Sequence, residues 1–196
     1  MKTLSKSKFK SLYLKMNLSH HPFNRMSKYL EWCFKDVVFE NKNVLDIGGG
    51  NGIFSFYAKF KGANKVINLE PFADGSTLFD FDGKDIDHEF RIILKNNTLQ
   101  EYETKEKFNI IILHDSINHL DEGVFEKIHK SEKAMKEYKV LTKKIISHLN
   151  PGGQIIITDC SRRNFWGDLG MKSPFAPAID WHLHQKPSLI KILFKD

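Results

Sequence analysis

Four glycines within five residues are the part of this sequence best suited to binding a ligand. The run from Gly48 to Gly52 contains one other residue, Asn51. Apolar Val44-Leu45 ahead of it predicts a buried strand, and residues 53–59 behind it have helical character. Glycines let the backbone turn sharply and let a ligand lie against bare main chain beside a helix N-terminus. The segment therefore predicts the first half of a nucleotide-binding βαβ unit.

The spacing of these glycines distinguishes between nucleotide ligands. The dinucleotide pattern G-x-G-x-x-G is not met, because Ile53 occupies its last position. The phosphate-binding P-loop is not met either, since the Gly83-Lys84 pair is followed by an aspartate. The pattern D-x-G-x-G-x-G is met from Asp46 to Gly52. An aspartate at a strand end would repel a pyrophosphate but suits a cationic nucleoside without phosphates.

A second acid follows at the distance that a βαβ unit requires. Lys65–Glu70 is another apolar run, and Glu70 comes 24 residues after Asp46. A carboxylate at this point of a βαβ unit can accept hydrogen bonds from both ribose hydroxyls. The alternative is an ordinary solvated turn acid. The glycine turn upstream favours the ribose interpretation.

These two motifs resemble those of the class I S-adenosylmethionine-dependent methyltransferases. The resemblance implies an α/β Rossmann-like fold with parallel strands in the order 3-2-1-4-5 and helices on both faces. The antiparallel strand pair that closes this sheet in the family has no counterpart in the sequence, so we expect a chain truncated at its C-terminus. The expected domains are an N-terminal helical cap over 1–42 and an S-adenosylmethionine-binding domain over 43–196.

Hydrophobic periodicity places the remaining elements. Residues 1–20 predict two short helices or a partly ordered arm. Residues 121–149 are predicted to be mostly helical, and a tight turn is predicted directly after them at 150–153. The other predicted elements are an amphipathic helix over Arg25–Phe39, strands over Phe90–Leu94, Phe108–Leu113 and Gln154–Asp159, and a last helix over Pro187–Phe194. The acidic stretch 71–89 predicts a solvated loop with a short helix near 76–79, because the EF-hand calcium pattern is not met.

The resemblance and the strand ends together select the candidate site residues. The expected cofactor-binding residues are Asp46, Gly48, Gly49, Gly50, Asn51, Gly52, Glu70, Pro71, Asn96, Asn97, His114, Asp115 and Ser116. The family's adenine contact matches Asn97, with Asn96 as the open alternative. His119 is the candidate base, and a helix-capping or core histidine is its alternative. Arg162, His182 and His184 are candidates for binding the acceptor, or else solvated loop residues. Either histidine is also an alternative candidate for the base.

Composition and charge indicate the kind of protein, its expected location and its possible partners. The 196 residues are 41% hydrophobic and 28% charged, which indicates a soluble globular domain. We expect a cytoplasmic protein without a membrane span, because the basic N-terminus leads into no apolar signal segment. Cys33 and Cys160 have no metal-ligand spacing, and no metal is expected. The net charge of +6 lies in residues 1–42, which suit an anionic substrate, a membrane surface, RNA or simply solvent.

Methyl transfer from a sulfonium is a displacement in which the protein supplies alignment and desolvation. The amino-methylating Asn-Pro-Pro-aromatic motif and the Pro-Cys pair of base-carbon methylation are both absent from the sequence. The tail, with Trp166-Gly167-Asp168 and Trp181-His182-Leu183-His184, is similar to that of bacterial methyltransferases that act on small polar or saccharide acceptors. This resemblance implies O-methylation of such an acceptor by S-adenosyl-L-methionine. Nucleic acid is not the expected partner. The alternatives are an inactive S-adenosylmethionine-binding regulator of a partner protein and an RNA methyltransferase.

Overall fold

The computed structural model describes residues 5–71 and 90–195, with a five-stranded sheet at the centre. The strands are β1 (Asn43–Ile47), β2 (Lys65–Leu69), β3 (Ile93–Lys95), β4 (Phe108–His114) and β5 (Leu149–Thr158). Their order across the sheet is β3-β2-β1-β4-β5. β1 pairs in parallel with β2 and β4, and β2 pairs in parallel with β3. The predicted fold class and strand order are confirmed.

The helices are short compared with those of many α/β domains. They are α1 (Lys6–Lys15), α2 (Phe23–Cys33), α3 (Ile53–Phe60), α4 (Glu122–Phe125), α5 (Glu132–Ser147), α6 (Phe165–Asp168) and α7 (Pro187–Leu193). Within the described ranges, no helix is both long and apolar enough to cross a bilayer. The chain divides into two compact units, residues 1–114 with 149–156 and residues 115–148 with 157–196.

The first unit has an aromatic core that joins the leading helices to the sheet. Val44 and Leu45 of β1 are fully buried, as expected for a central parallel strand. Phe9 of α1 stacks on Phe60 of α3, with ring centroids 4.8 Å apart. Phe34, which follows α2, stacks on Tyr57 of α3 at 5.6 Å. Burial of such rings contributes most of the stabilisation that holds the leading helices in place.

Several boundaries in the first unit differ from the prediction. In the described part of residues 1–20 there is one helix, α1, whose N-cap Ser5 accepts a hydrogen bond from the backbone nitrogen of Lys8. α2 begins directly after Pro22 and ends at Cys33, because the backbone of Phe34 leaves the helical region. The third strand covers Ile93–Lys95 rather than Phe90–Leu94. Apolar content marks where a strand passes but does not fix its pairing register.

The fifth strand is longer than predicted, since β5 takes in the whole predicted turn at 150–153. Pro151 is tolerated because β5 is an edge strand, and Gly152 adopts a φ of +74°. Residues 159–195, which are described without a gap, add no strand to the sheet. The acidic stretch and the helix predicted near 76–79 lie outside the described residues.

The second unit consists mainly of helices. The predicted helical stretch 121–149 is divided into α4 and α5, each with its own N-cap: Asp121 accepts from the Val124 nitrogen and Ser131 from the Ala134 nitrogen. Tyr138 of α5 donates its hydroxyl to the carbonyl of Ile117. The hydroxyl of Thr142 in α5 donates to the carbonyl of Leu193 at 2.8 Å and so links α5 to α7. α7 has Pro187 in its first turn, as predicted.

Candidate active site

The glycine turn joins β1 to α3 through backbone conformations that other residues rarely adopt. Gly48, Gly50 and Gly52 have φ angles of +67°, +48° and +78°. All three lie in the left-handed region, where a Cβ is unfavourable. A Cβ added at Gly50 would meet no atom within 4 Å, so open space lies beside the main chain at that point. The turn therefore has room for a ligand against bare backbone.

The carboxylate of Glu70 faces this turn. Its Oε2 accepts a hydrogen bond of 2.9 Å from the backbone nitrogen of Gly50, and the residue is 5% exposed. The Glu70 nitrogen continues the sheet by donating to the carbonyl of Lys95 at 3.0 Å. Since a carboxylate can accept several hydrogen bonds, vicinal hydroxyls of a ribose could join the one from Gly50. The residues present fit the nucleoside part of S-adenosylmethionine.

Asp46 lies beneath the turn rather than at its surface. It is 1% exposed, and its Oδ2 accepts a 2.6 Å hydrogen bond from the hydroxyl of Ser55 in α3. Burial raises the pKa of Asp46 to about 7; the bonds from Ser55 oppose this shift, and the charge of Glu70 adds to it. The structure thus places Asp46 as a support between β1 and α3. Ser55, which the sequence analysis did not select, is its partner.

The other residues predicted to bind the cofactor in this unit follow neighbouring strands. Asn51 donates its side-chain amide to the carbonyl of Leu18. Pro71 follows Glu70 and is half-buried, while Asn96 is exposed and Asn97 half-buried just beyond β3. Because β1, β2 and β3 are parallel, all of these positions lie at one edge of the sheet.

His114 ends β4 and sits among aromatic rings. Its Nε2 lies 2.7 Å from the hydroxyl of Tyr29 in α2, within hydrogen-bond distance. One face of the imidazole stacks on Phe54 of α3, with centroids 4.0 Å apart and planes inclined by 27°. The sequence analysis placed Tyr29 in an amphipathic helix without a functional role. No spacing rule could have paired it with a residue 85 positions away.

In the second unit, the residues after β4 adopt an unusual backbone. Asp115 is exposed with a φ of +47°, a conformation that aspartate tolerates better than most residues. Its nitrogen donates to the carbonyl of Thr158 at 2.8 Å, and Ser116 is buried. His119 lies in a short 3₁₀ helix with a half-exposed imidazole, whose Nδ1 is 2.6 Å from the carboxylate of Glu122.

The three predicted acceptor-binding residues form one cluster in this unit. The guanidinium of Arg162 donates to the carbonyl oxygens of His184, at 2.9 Å, and of His182. His184 is buried, with its Nδ1 2.9 Å from Oδ1 of Asp159, whereas His182 is exposed. Arg162 therefore holds the backbone of residues 182–184 in place. Asp159, at the end of β5, is a member of this cluster that the sequence analysis missed.

The strand order, the glycine turn and Glu70 together define a class I S-adenosylmethionine-dependent methyltransferase, as the sequence motifs predicted. A family model described as a methyltransferase domain matches residues 18–191, and the chain belongs to that family. Comparison with curated proteins gives no match.

Solved structures of methyltransferases share the fold at low identity. The N-methyltransferase NodS from Bradyrhizobium japonicum WM9 is 19% identical with a TM-score of 0.52, over 89% of this chain and 82% of NodS. The glycopeptide N-methyltransferase MtfA is 21% identical with a TM-score of 0.48, over 67% of this chain and 51% of MtfA. The ribosomal protein L11 methylase from Lactobacillus delbrueckii subsp. bulgaricus is 18% identical with a TM-score of 0.41, over 70% of this chain and 61% of the methylase. This chain thus spans about half the length of MtfA.

Proposed function

We propose that this chain transfers the methyl group of S-adenosyl-L-methionine to an oxygen atom of a small polar or saccharide acceptor. The observation that carries the proposal is the carboxylate of Glu70 bonded to the backbone of Gly50, with open space beside that glycine. At this point of the site, the bare main chain of the glycine turn and the carboxylate of Glu70 would contact the ribose. Family membership over residues 18–191 supports the same reaction class.

The residues proposed to hold the cofactor lie at the carboxyl ends of β1 to β4. Glu70 would accept from the ribose, and Asn97 or Asn96 would meet the adenine. Gly48 to Gly52 would lie against the methionine and ribose parts, flanked by Pro71 and His114. Asp115 and Ser116, which belong to the second unit, are proposed cofactor residues as well. When bound, the cofactor supplies an electrophilic methyl carbon. The protein supplies alignment and exclusion of water, and oriented reactants of this kind account for roughly 7–11 kcal/mol of a barrier.

An oxygen acceptor must also lose a proton. His119 is a proposed base, because its Nδ1 lies 2.6 Å from the carboxylate of Glu122, which would fix the orientation of the ring. Arg162, His182 and His184 are proposed to line the acceptor side. Since the guanidinium of Arg162 already donates to the backbone carbonyls of His182, His184 and Glu126, its proposed contribution is to position the His182–His184 segment. A cytoplasmic location and a helical cap over 1–42 are part of the same proposal.

The first test is binding of S-adenosylhomocysteine, measured by calorimetry on the full chain. We expect micromolar affinity for the wild type. Glu70→Gln should weaken it about 10- to 100-fold, because a hydrogen bond to a charged group contributes about 1.5–3 kcal/mol. Glu40→Gln, an exposed acid in the same unit, is the matched control and should bind as the wild type does. Absence of binding to the wild type would reject the proposal.

The second test identifies the acceptor. Purified protein is incubated with methyl-labelled cofactor and separate small-molecule, protein and RNA fractions of a cell extract, and the methylated atom is located by mass spectrometry. Label on an oxygen of a small molecule supports the proposal. Label on nitrogen would instead indicate N-methylation, the activity for which NodS is named. Label in RNA would support the RNA alternative, and binding without any transfer would support the inactive regulator.

A further inference from the structure

The contact between Tyr29 and His114 joins a helix to the strand end next to the glycine turn. β1 and β4 pair with Asp46 opposite Ile112, so His114 lies level with Gly48 two residues further on. Ligands of open α/β sheets bind beyond this edge. The tyrosine and the imidazole are therefore positioned at the edge where the proposed cofactor residues gather.

The surroundings of this pair suit proton transfer. The 2.7 Å separation of the Tyr29 hydroxyl and His114 Nε2 is that of a good hydrogen bond. Phe54, which is 8% exposed, covers one face of the imidazole, and the ring of Tyr29 meets the imidazole edge-on at 5.8 Å. Tyr29 in turn stacks on Trp32 at 6.3 Å. Trp32 is 67% exposed, so the ring of Phe54 is the one that shields the imidazole from water and strengthens its polar contact.

We propose that Tyr29 and His114 form a proton-transfer pair that contacts the acceptor, an inference that rests on the proposed function. With Tyr29 donating to Nε2, the acceptor proton passes to the Tyr29 oxygen as the Tyr29 proton passes to His114. The acceptor oxygen forms its bond to the methyl carbon, and the carbon–sulfur bond breaks with its electron pair left on sulfur. The imidazolium then returns its proton to solvent. The pair is a candidate base separate from His119.

The competing explanation is a purely structural tie between α2 and β4. If the contact between Tyr29 and His114 is only structural, its loss would lower the stability of the protein, and imidazole added to the solution would not restore methyl transfer. A proton-accepting imidazole can be replaced by imidazole from solution when its side chain is removed. A contact to the cofactor alone would appear in the affinity for S-adenosylhomocysteine. These three roles are therefore separable.

The experiment compares Tyr29→Phe, His114→Ala and His119→Asn, with Tyr102→Phe and His20→Asn as matched controls elsewhere in the first unit. The probes are S-adenosylhomocysteine for binding, and labelled cofactor with glucose, glucosamine and glucuronic acid for transfer. We expect dissociation constants within threefold of the wild type in Tyr29→Phe, in His119→Asn and in both controls. We expect kcat to fall about 10²- to 10⁴-fold in His114→Ala and at least tenfold in Tyr29→Phe, with the acceptor KM little changed. Added imidazole should restore transfer in His114→Ala.

Three results would overturn the inference. Unchanged kcat in Tyr29→Phe and His114→Ala, with a loss in His119→Asn alone, would make His119 the base. Tenfold weaker S-adenosylhomocysteine binding in both variants would assign the pair to the cofactor. A loss that imidazole does not relieve would leave only the structural tie. Wild-type protein that binds S-adenosylhomocysteine but methylates none of the three sugars would count against the proposed function at its acceptor, whereas each of the three results above would overturn the pair in a protein that is active.

Discussion

Gly49 lies so close to the side chain of Asn68 that a Cβ at its position would force that side chain or the backbone to move. A Cβ built on Gly49 would be 2.4 Å from Nδ2 of Asn68, which is fully buried on β2. Among the described residues, neither polar atom of that amide has a hydrogen-bond partner. The turn is thus seated directly on the neighbouring strand.

Gly49→Ala should therefore destabilise the protein by about 1–3 kcal/mol, because overpacking a filled core forces its neighbours to shift. Binding of S-adenosylhomocysteine should weaken with it. Adding Asn68→Ala should recover much of the loss, which a double-mutant cycle in urea would measure. Gly123→Ala is the control, since a Cβ there has only an ordinary contact at 3.9 Å. Additive effects of the two substitutions would contradict the steric explanation.

Asp46 makes stability depend on pH. Burial raises its pKa from 3.8 to about 7, so the folded state binds this proton more tightly than the unfolded state does. Its contribution to stability is therefore largest below about pH 4 and declines as pH rises to about 7. The difference amounts to about 4 kcal/mol.

Asp46→Asn removes this titration while keeping an oxygen that can accept from Ser55. The variant should gain stability relative to the wild type as pH rises from 4 to 7 and keep that gain above pH 7. Urea unfolding at a series of pH values measures the difference, with the exposed Asp36→Asn as the control. A difference that does not change with pH would show that Asp46 is charged in the folded protein throughout.

Arg162 and Arg163 are neighbours with unequal structural roles. Arg162→Ala should lower the free energy of unfolding by roughly 2–3 kcal/mol, because it removes charge-assisted bonds to the carbonyls of His184 and His182. Arg163→Ala should cost less than about 1 kcal/mol, since its ion pair with Asp168 is half-exposed and screened by solvent. Denaturant titration compares them, and equal losses would contradict the positioning role of Arg162.

The buried hydroxyl of Thr142 is expected to govern the attachment of α7. Thr142→Val keeps the shape of the side chain but leaves the carbonyl of Leu193 without its 2.8 Å partner, at a cost of about 1–3 kcal/mol. Hydrogen exchange of the α7 amides should accelerate accordingly. Lys139→Met removes an exposed bond to the Lys195 carbonyl, in the residues just after α7, and should change exchange little. Faster exchange in the lysine variant would contradict this.

The parts of the fold predicted from the sequence are those that local rules determine. The pattern from Asp46 to Gly52 requires a left-handed turn, and apolar runs such as Phe108–Leu113 are long enough to mark central strands. Edge strands are different, because half of their pairing is missing and their limits depend on neighbours. For this reason β3 begins three residues later than the predicted strand, and β5 begins five residues earlier than predicted.

The candidate site shows the same division. Glu70 was found because a βαβ unit fixes the distance between its two acids. The pairs Tyr29–His114 and Asp159–His184 join residues 85 and 25 positions apart, and such contacts depend on how side chains pack in three dimensions. Ser55 was missed because a serine in an apolar helix has no pattern of its own. The environment of Asp46 likewise depends on burial, which the motif does not specify.

The side-chain amide of Asn51 donates to the carbonyl of Leu18, so the glycine turn is bonded to the segment that precedes α2. Shortening the protein from its front end past residue 18 would remove this bond as well as α1. A variant truncated in that way would lack part of the support of the candidate nucleoside site. Weak binding of S-adenosylhomocysteine by that variant would therefore not argue against binding by the chain of 196 residues.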